Sequence, residues 1–284
     1  MTYCVGLSLD HGMVLMSDTR TNSGVDNISV FRKMFHWSIP GDRIIAVMTA
    51  GNLATTQAVI SQLEERGKTV PERRNSLLEA ETMFQVASMV GKLLRETIAG
   101  RQSENGQSGS GRFTASMIIA GQIKGMEPRL FLVYPEGNFI EASGDTPFFQ
   151  IGETKYGRPI LIRGYDHDMS FEDAAKLLMV SFDSTLKANL SVGLPLDLLV
   201  IERDRFEPLV ERRITADDPY FQAISSGWAA ALKKAFHELP DYSFEEQAKA
   251  KAVDEAAGNA VAKAAEQAAT ETAEAVLKSA AKGS

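Results

Sequence analysis

Strand-like and helix-like periodicities follow one another along this chain in an order that few folds can accommodate. Apolar or alternating runs at 2–9 and 13–17, separated by "DHG", predict a hairpin. "MFHWSI" and "RIIAVMTA" flank "PGD" and predict a second one, with Pro40 and Gly41 in its turn. "GNLATTQAVISQLEERG" takes helical spacing through Leu53, Val59, Ile60 and Leu63 and stops at Gly67. A longer helix is predicted over 77–98, with a broad stripe from Met83, Phe84, Val86, Ala87, Val90, Leu93 and Leu94. "GRQSENGQSGSGR" has no period and predicts a flexible loop. Strands return at "FTASMIIAGQI", "RLFLVYP", "FIEASG" and "FFQIG". Ser170 opens another helix, with Asp173 in a near capping-box position, and that helix ends close to Asn189. "LDLLVIERD" and "FEPLVERRI" predict a last hairpin, and "DPYFQAISSGWAAALKKAFHEL" a closing helix. A doubly wound parallel sheet would alternate strand and helix strictly. This order predicts an α+β fold of two stacked sheets with helices outside.

The texture changes near Phe244. The stretch that follows is rich in Ala, Glu and Lys, with large apolar residues only at Val253, Val261, Val276 and Leu277. Alanine favours helix, but so few large side chains bury little surface and fall short of sustained heptads. The expected organisation is therefore one domain over 1–243 and a partly helical or disordered tail over 244–284.

Composition excludes several function classes. A net charge of −7 argues against a nucleic-acid partner, since phosphate binding wants a basic face. No run approaches the roughly 18 apolar residues of a membrane span, and the secretory pattern of basic, apolar and small residues is missing at the start. Cys4 stands alone, which excludes an internal disulfide and fits a reducing cytoplasm; its strand setting predicts a buried, inert thiol.

Three residues in the first third of the chain form a chemically coherent set. Thr2 follows Met1 directly, so clipping Met1 would leave a hydroxyl and a free α-amino group on one residue. A threonine hydroxyl needs a base beside it to act as a nucleophile. An α-amine, with a free pKa of about 7.7–8.0, suits that task near neutral pH. Lys33, held charged by Asp18, would tune both groups. Thr2, Asp18 and Lys33 together point to amide hydrolysis, whereas each alone would signify little. Other clusters carry less. Asp166, His167 and Asp168 invite a metal, but a loop capping a helix through Asp168 or Ser170 explains them better. "SENGQSGSG" lacks the Gly-Lys-Ser/Thr ending of a phosphate loop. No metal and no cofactor are expected.

"TYCVG" at the start, "SDTRT" at 17–21, "FRKM" at 31–34 and "MTAGNLA" at 48–54 resemble the successive signatures of proteasome-type β-subunits, which are N-terminal threonine hydrolases. "SDTRTNSGVDNIS" and "IGETKYGRPIL" are most similar to the bacterial group called Anbu, the ancestral β-subunit, related to the HslV protease. The resemblance covers residues 2–238 and leaves the tail outside. It implies a four-layer αββα sandwich of the N-terminal-nucleophile hydrolase type.

By position, the resemblance makes Thr2 the nucleophile, Asp18 the carboxylate that orients Lys33, and Gly51 the oxyanion donor. It makes Arg20 a structural neighbour and puts Thr21 and Thr49 on the substrate groove. Glu153 stands where proteasomal subunits carry a supporting serine. Near their second serine motif this chain offers Asn189, Val192 and Gly193, with Ser191 one place off. The resemblance further implies a ring or spiral of identical subunits, a peptide or unfolded protein as substrate, and an ATP-dependent unfoldase such as HslV-like relatives use, although no docking element for one is identified. Three activities fit: a threonine peptidase, an assembly subunit with little or no hydrolysis, and an amidase of a specialised small peptide or amide.

Overall fold

Both faces of the central strands are apolar, and each face meets a different partner, which is what makes the chain layered. The computed structural model describes residues 2–22, 28–67, 76–104, 113–245, 249 and 251–264. The chain forms two units, Met1–Ala229 and Ala230–Ser284.

The first unit begins with β1 (Tyr3–Leu9) and β2 (Gly12–Asp18), followed by the short strands β3 (Arg20–Asn22) and β4 (Ile28–Val30). Next come β5 (Met34–Ile39), β6 (Arg43–Gly51), α1 (Leu53–Gly67), a 3-10 turn at Leu77–Glu79 and α2 (Met83–Glu104). β7 (Ala115–Ile123), β8 (Arg129–Val133), β9 (Phe139–Glu141) and β10 (Phe148–Gly152) lead into α3 (Arg158–Gly164) and α4 (Phe171–Ala188). β11 (Leu196–Glu202) and β12 (Val210–Ile214) precede α5 (Pro219–His237), whose residues from Ala230 on belong to the second unit. One antiparallel sheet runs β10-β1-β2-β11-β12 and the other β5-β6-β7-β8-β9, while β3 and β4 pair only with each other.

Period-2 alternation sorts the side chains. Cys4, Met13, Leu15, Leu199 and Ile201 of the first sheet meet Ile44, Ala46, Met48, Ile118 and Ala120 of the second between the sheets. The opposite faces, through Tyr3, Val5, Leu7, Val14, Met16 and Leu198, pack on Leu161 of α3 and Leu178 and Phe182 of α4. Ile45, Val47, Met117 and Ile119 pack on Val59 and Leu63 of α1 and Val86, Val90 and Leu94 of α2. The result is the expected α+β sandwich with four layers, αββα. At Gly6 a Cβ would come within 3.0 Å of both Leu130 and Leu15, so the sheets nearly touch there.

Three features differ from the sequence expectation. The helix expected over 77–98 is a 3-10 turn followed by α2, because two starts lie inside that stretch. Ser76 Oγ accepts from the Leu78 N–H, whereas Thr82 Oγ1 accepts from the Gln85 N–H and Gln85 Oε1 from the Glu81 N–H, a reciprocal arrangement of the capping-box kind. α2 then runs on through Glu104, into the stretch expected to be a loop; positions 105–112 of that stretch lie outside the described residues. α3 and the β3–β4 pair are additional elements, too short to leave a periodic signal.

In the second unit Leu232, Phe236, Leu239, Tyr242 and Phe244 are exposed. Residues 251–264 are helical and solvated, and 265–284 lie outside the described residues. Among the described residues, no helix is long and apolar enough to cross a membrane.

The Phe182 ring lies 4.4 Å from that of Tyr3, and both are fully buried. Phe182→Ala is expected to lower unfolding stability by about 3–5 kcal/mol, measured as a drop in denaturant midpoint at unchanged slope.

Candidate functional site

Asp18 is the last residue of β2 and lies fully buried. Lys33, between β4 and β5, sends its ammonium inward, and Nζ donates to Asp18 Oδ1 at 2.7 Å and to the Arg20 carbonyl at 2.5 Å. The Tyr3 N–H donates to the same Asp18 oxygen at 3.0 Å, which ties the carboxylate to the strand that begins beside Thr2. Burial pushes the Asp18 carboxyl above its ordinary range, and the charge and hydrogen bond of Lys33, then the Tyr3 N–H, offset this only in part. The Gly193 N–H also favours the ionised form, although Asp18 Oδ2 closes no hydrogen bond.

Thr2 is 8% exposed and is held through its backbone. Its carbonyl accepts from the Glu153 N–H at 2.6 Å. Gly152 makes this approach possible: its φ is +84°, and a Cβ there would lie 2.0 Å from the Thr2 oxygen. Gly51, at the end of β6, is constrained in the same way, with φ +114° and a would-be Cβ 2.5 Å from the Thr114 carbonyl. Thr49 is buried, and its N–H donates to the Lys33 carbonyl at 2.9 Å.

Thr2, Thr21, Lys33, Thr49, Gly51 and Gly152 line one cleft of about 510 Å³, together with residues from the start of α1 such as Leu53 and Thr56. Six of the residues singled out in the sequence are thus joined, five along the cleft and Asp18 behind Lys33. Asn52 Oδ1 accepts from the Thr55 N–H at 3.0 Å and caps α1 where that helix meets the cleft.

The remaining candidates form a supporting layer. Arg20 Nη1 donates to the Leu190 carbonyl at 3.0 Å, and its guanidinium fills the space over Gly193, where a Cβ would lie 2.1 Å from Nε. The Glu153 carboxylate accepts from Asn189 Nδ2 at 2.9 Å and from the Lys155 N–H at 3.1 Å. Asn189 Oδ1 in turn accepts from the Ser191 N–H at 2.9 Å. Val192 is fully buried among apolar neighbours. Gly152 escaped the sequence reading although it ends "FFQIG", because its partner Thr2 is remote in the chain.

Two further expectations can be placed. Cys4 is buried, and burial pushes its thiol far up, so it stays an inert thiol. The potential ligand atoms of Asp166, His167 and Asp168 lie within 4.8 Å of one another on exposed side chains. His167 Nδ1 is hydrogen-bonded to Asp10 Oδ2 at 2.9 Å, and Ser170 caps α4 by accepting from the Asp173 N–H.

Comparison with known proteins gives a consistent result. The family described as proteasome subunit matches residues 2–201. The chain is similar to the proteasome subunit beta of Haloquadratum walsbyi, at 24% identity over 209 residues, spanning 72% of this chain and 75% of that one. Among solved structures it is similar to Anbu (ancestral beta-subunit) from Yersinia bercovieri, with a TM-score of 0.79 and 43% identity over 85% of this chain and 100% of that chain. It is also similar to the structure titled helical assembly of the Anbu complex from Pseudomonas aeruginosa, with a TM-score of 0.80 and 43% identity over 86% and 99% of the two chains. The resemblance drawn from the sequence motifs holds.

Gly152→Ala is expected to displace the start of β1 and to cost about 1–3 kcal/mol of stability through backbone strain. The measurement is a chemical denaturation curve beside the crystal structure of the variant. A Thr2 carbonyl left in place, with stability unchanged, would contradict the cradle role.

Proposed function

The chain belongs to the proteasome subunit family, and on that premise we propose that it is an N-terminal threonine peptidase, matured by removal of Met1 and working within an assembly of identical subunits. One observation carries this reading above the others: the buried Lys33–Asp18 pair reaches the same cleft as Thr2 and Gly51.

In the proposed reaction the Thr2 α-amine takes the proton of its own hydroxyl as Oγ1 attacks the substrate carbonyl. The Lys33 ammonium, fixed by Asp18, provides the positive field that favours the developing alkoxide. The Gly51 N–H receives the oxyanion, which requires a donor fixed before charge develops. The α-ammonium then protonates the leaving amine, the C–N bond breaks, and an ester to Thr2 remains. Water, deprotonated by the same amine, hydrolyses that ester and frees Thr2. The substrate is a peptide or an unfolded polypeptide, in extended form, lying along the cleft.

Self-assembly is supported by two things. A relative of this chain has been solved as a helical assembly, and Leu232, Phe236, Leu239, Tyr242 and Phe244 expose apolar surface that a second copy would cover. A second reading, an assembly subunit with little hydrolysis, is favoured by Val192, a buried side chain with no hydroxyl to help hold the amine.

The test is intact-mass measurement followed by an electrophilic probe directed at N-terminal threonine. Removal of Met1 and one covalent adduct on Thr2, absent in Thr2→Ala, are expected. An intact assembly with an unreactive Thr2 would overturn the peptidase and support the second reading.

A further inference from the structure

Glu153 is a buried carboxylate that the proposed reaction does not use. It is 7% exposed. The register of β1 and β10 pairs Tyr3 with Gly152, so Thr2 and Glu153 are the next facing positions outward, joined by the 2.6 Å bond from the Glu153 N–H to the Thr2 carbonyl. Both lie just past the strand ends, so this backbone bond is what holds them side by side. The carboxylate accepts two neutral donors, Asn189 Nδ2 and the Lys155 N–H. Among the described residues it forms no ion pair. A charge withdrawn from water on amide donors alone is incompletely compensated.

The charged groups of the site and its supporting layer are committed elsewhere. Lys33 is paired with Asp18. The Arg20 guanidinium donates to the Leu190 carbonyl and covers Gly193. Lys155 has an exposed side chain and contributes only its N–H. Tyr3 is neutral near pH 7, its phenol pushed up to about 12 chiefly by burial and, in small part, by Glu153 itself.

Cutting away Met1 creates a cation on Thr2, the residue whose carbonyl the Glu153 N–H holds. We propose that Glu153 is the counter-ion of the Thr2 α-ammonium and sets the pH at which that amine becomes a base. This rests on the threonine-peptidase reading and adds a positioning residue to it. Asn189, held through Ser191 and through its own N–H to the Thr185 carbonyl, keeps the carboxylate in place. An adjacent negative charge favours the protonated amine and opposes the Lys33 ammonium, so the base forms at a more alkaline pH than it would without Glu153. The same charge stabilises the ammonium that appears when the amine takes the Thr2 hydroxyl proton.

The experiment uses the full chain with Met1 removed by methionine aminopeptidase. The rate of Thr2 acylation by a β-lactone is followed from about pH 6 to 10 in the wild type and in Glu153→Gln, which keeps an acceptor for Asn189. The midpoint of the profile is expected to fall by about one pH unit in the variant; superimposable profiles overturn the proposal. Should the variant not fold, competitive labelling of the wild-type amine with trace acetic anhydride, read by mass spectrometry, gives its pKa directly. If Glu153 sets the pH against the opposing Lys33 ammonium, a value above the free range of about 7.7–8.0 is expected, and one within or below it overturns the proposal. An amine that titrates high on a Thr2 that never acylates would instead remove the peptidase reading and leave the Glu153 pairing standing.

Discussion

A lysine and an aspartate that are both withdrawn from water stay charged only by holding one another, and Lys33 and Asp18 do so at 2.7 Å with side-chain exposures of 5% and 0%. Desolvation weighs on both ions, and their mutual attraction offsets it only where the remaining hydrogen-bonding capacity is also met. Here the Tyr3 N–H and the Arg20 carbonyl meet part of it. Both are backbone groups, so the pair is bound to the chain around β1 and β3 and not only to side chains. Anything that moves the start of β1 therefore moves the partner of Asp18 together with Thr2.

The sandwich supplies the rigidity this requires. Thr2 precedes a strand whose two faces are buried in different layers, with Tyr3 packed on α4 and Cys4 between the sheets. Gly51 ends β6 of the other sheet, and Gly152 ends the strand alongside Thr2. At both glycines the backbone takes a positive φ against a close carbonyl. The cleft thus sits where strand ends from the two sheets meet, its backbone groups fixed before any substrate arrives, as oxyanion stabilisation demands.

Much of this was legible in the residues. Alternation with both faces apolar, as in "CVGLSL" and "IIAVMTA", announces strands buried on two sides, and the order of elements then leaves the layered solution. Asp18 and Lys33 could be picked out because Thr2 gave them a common chemical purpose. Less was legible where a role depends on a partner distant in sequence. Nothing in "IGET" announces that Gly152 admits a carbonyl from residue 2, or that Glu153 faces it. The helix start at Thr82 lay inside a stripe that continued on either side, and α3 is only a turn or two of "RPILIRG", too brief for a period to emerge.

The central claim is that Lys33 and Asp18 act on Thr2 as one unit. The most direct measurement is a double-mutant cycle on the acylation rate of Met1-free protein, using Lys33→Met, Asp18→Asn and the two combined. Groups that act as a unit are grossly non-additive, so the combined variant is predicted to lose no more reactivity than the worse single one. Losses that simply multiply would mean that the two residues reach Thr2 independently, and would contradict the coupling that the buried hydrogen bond implies.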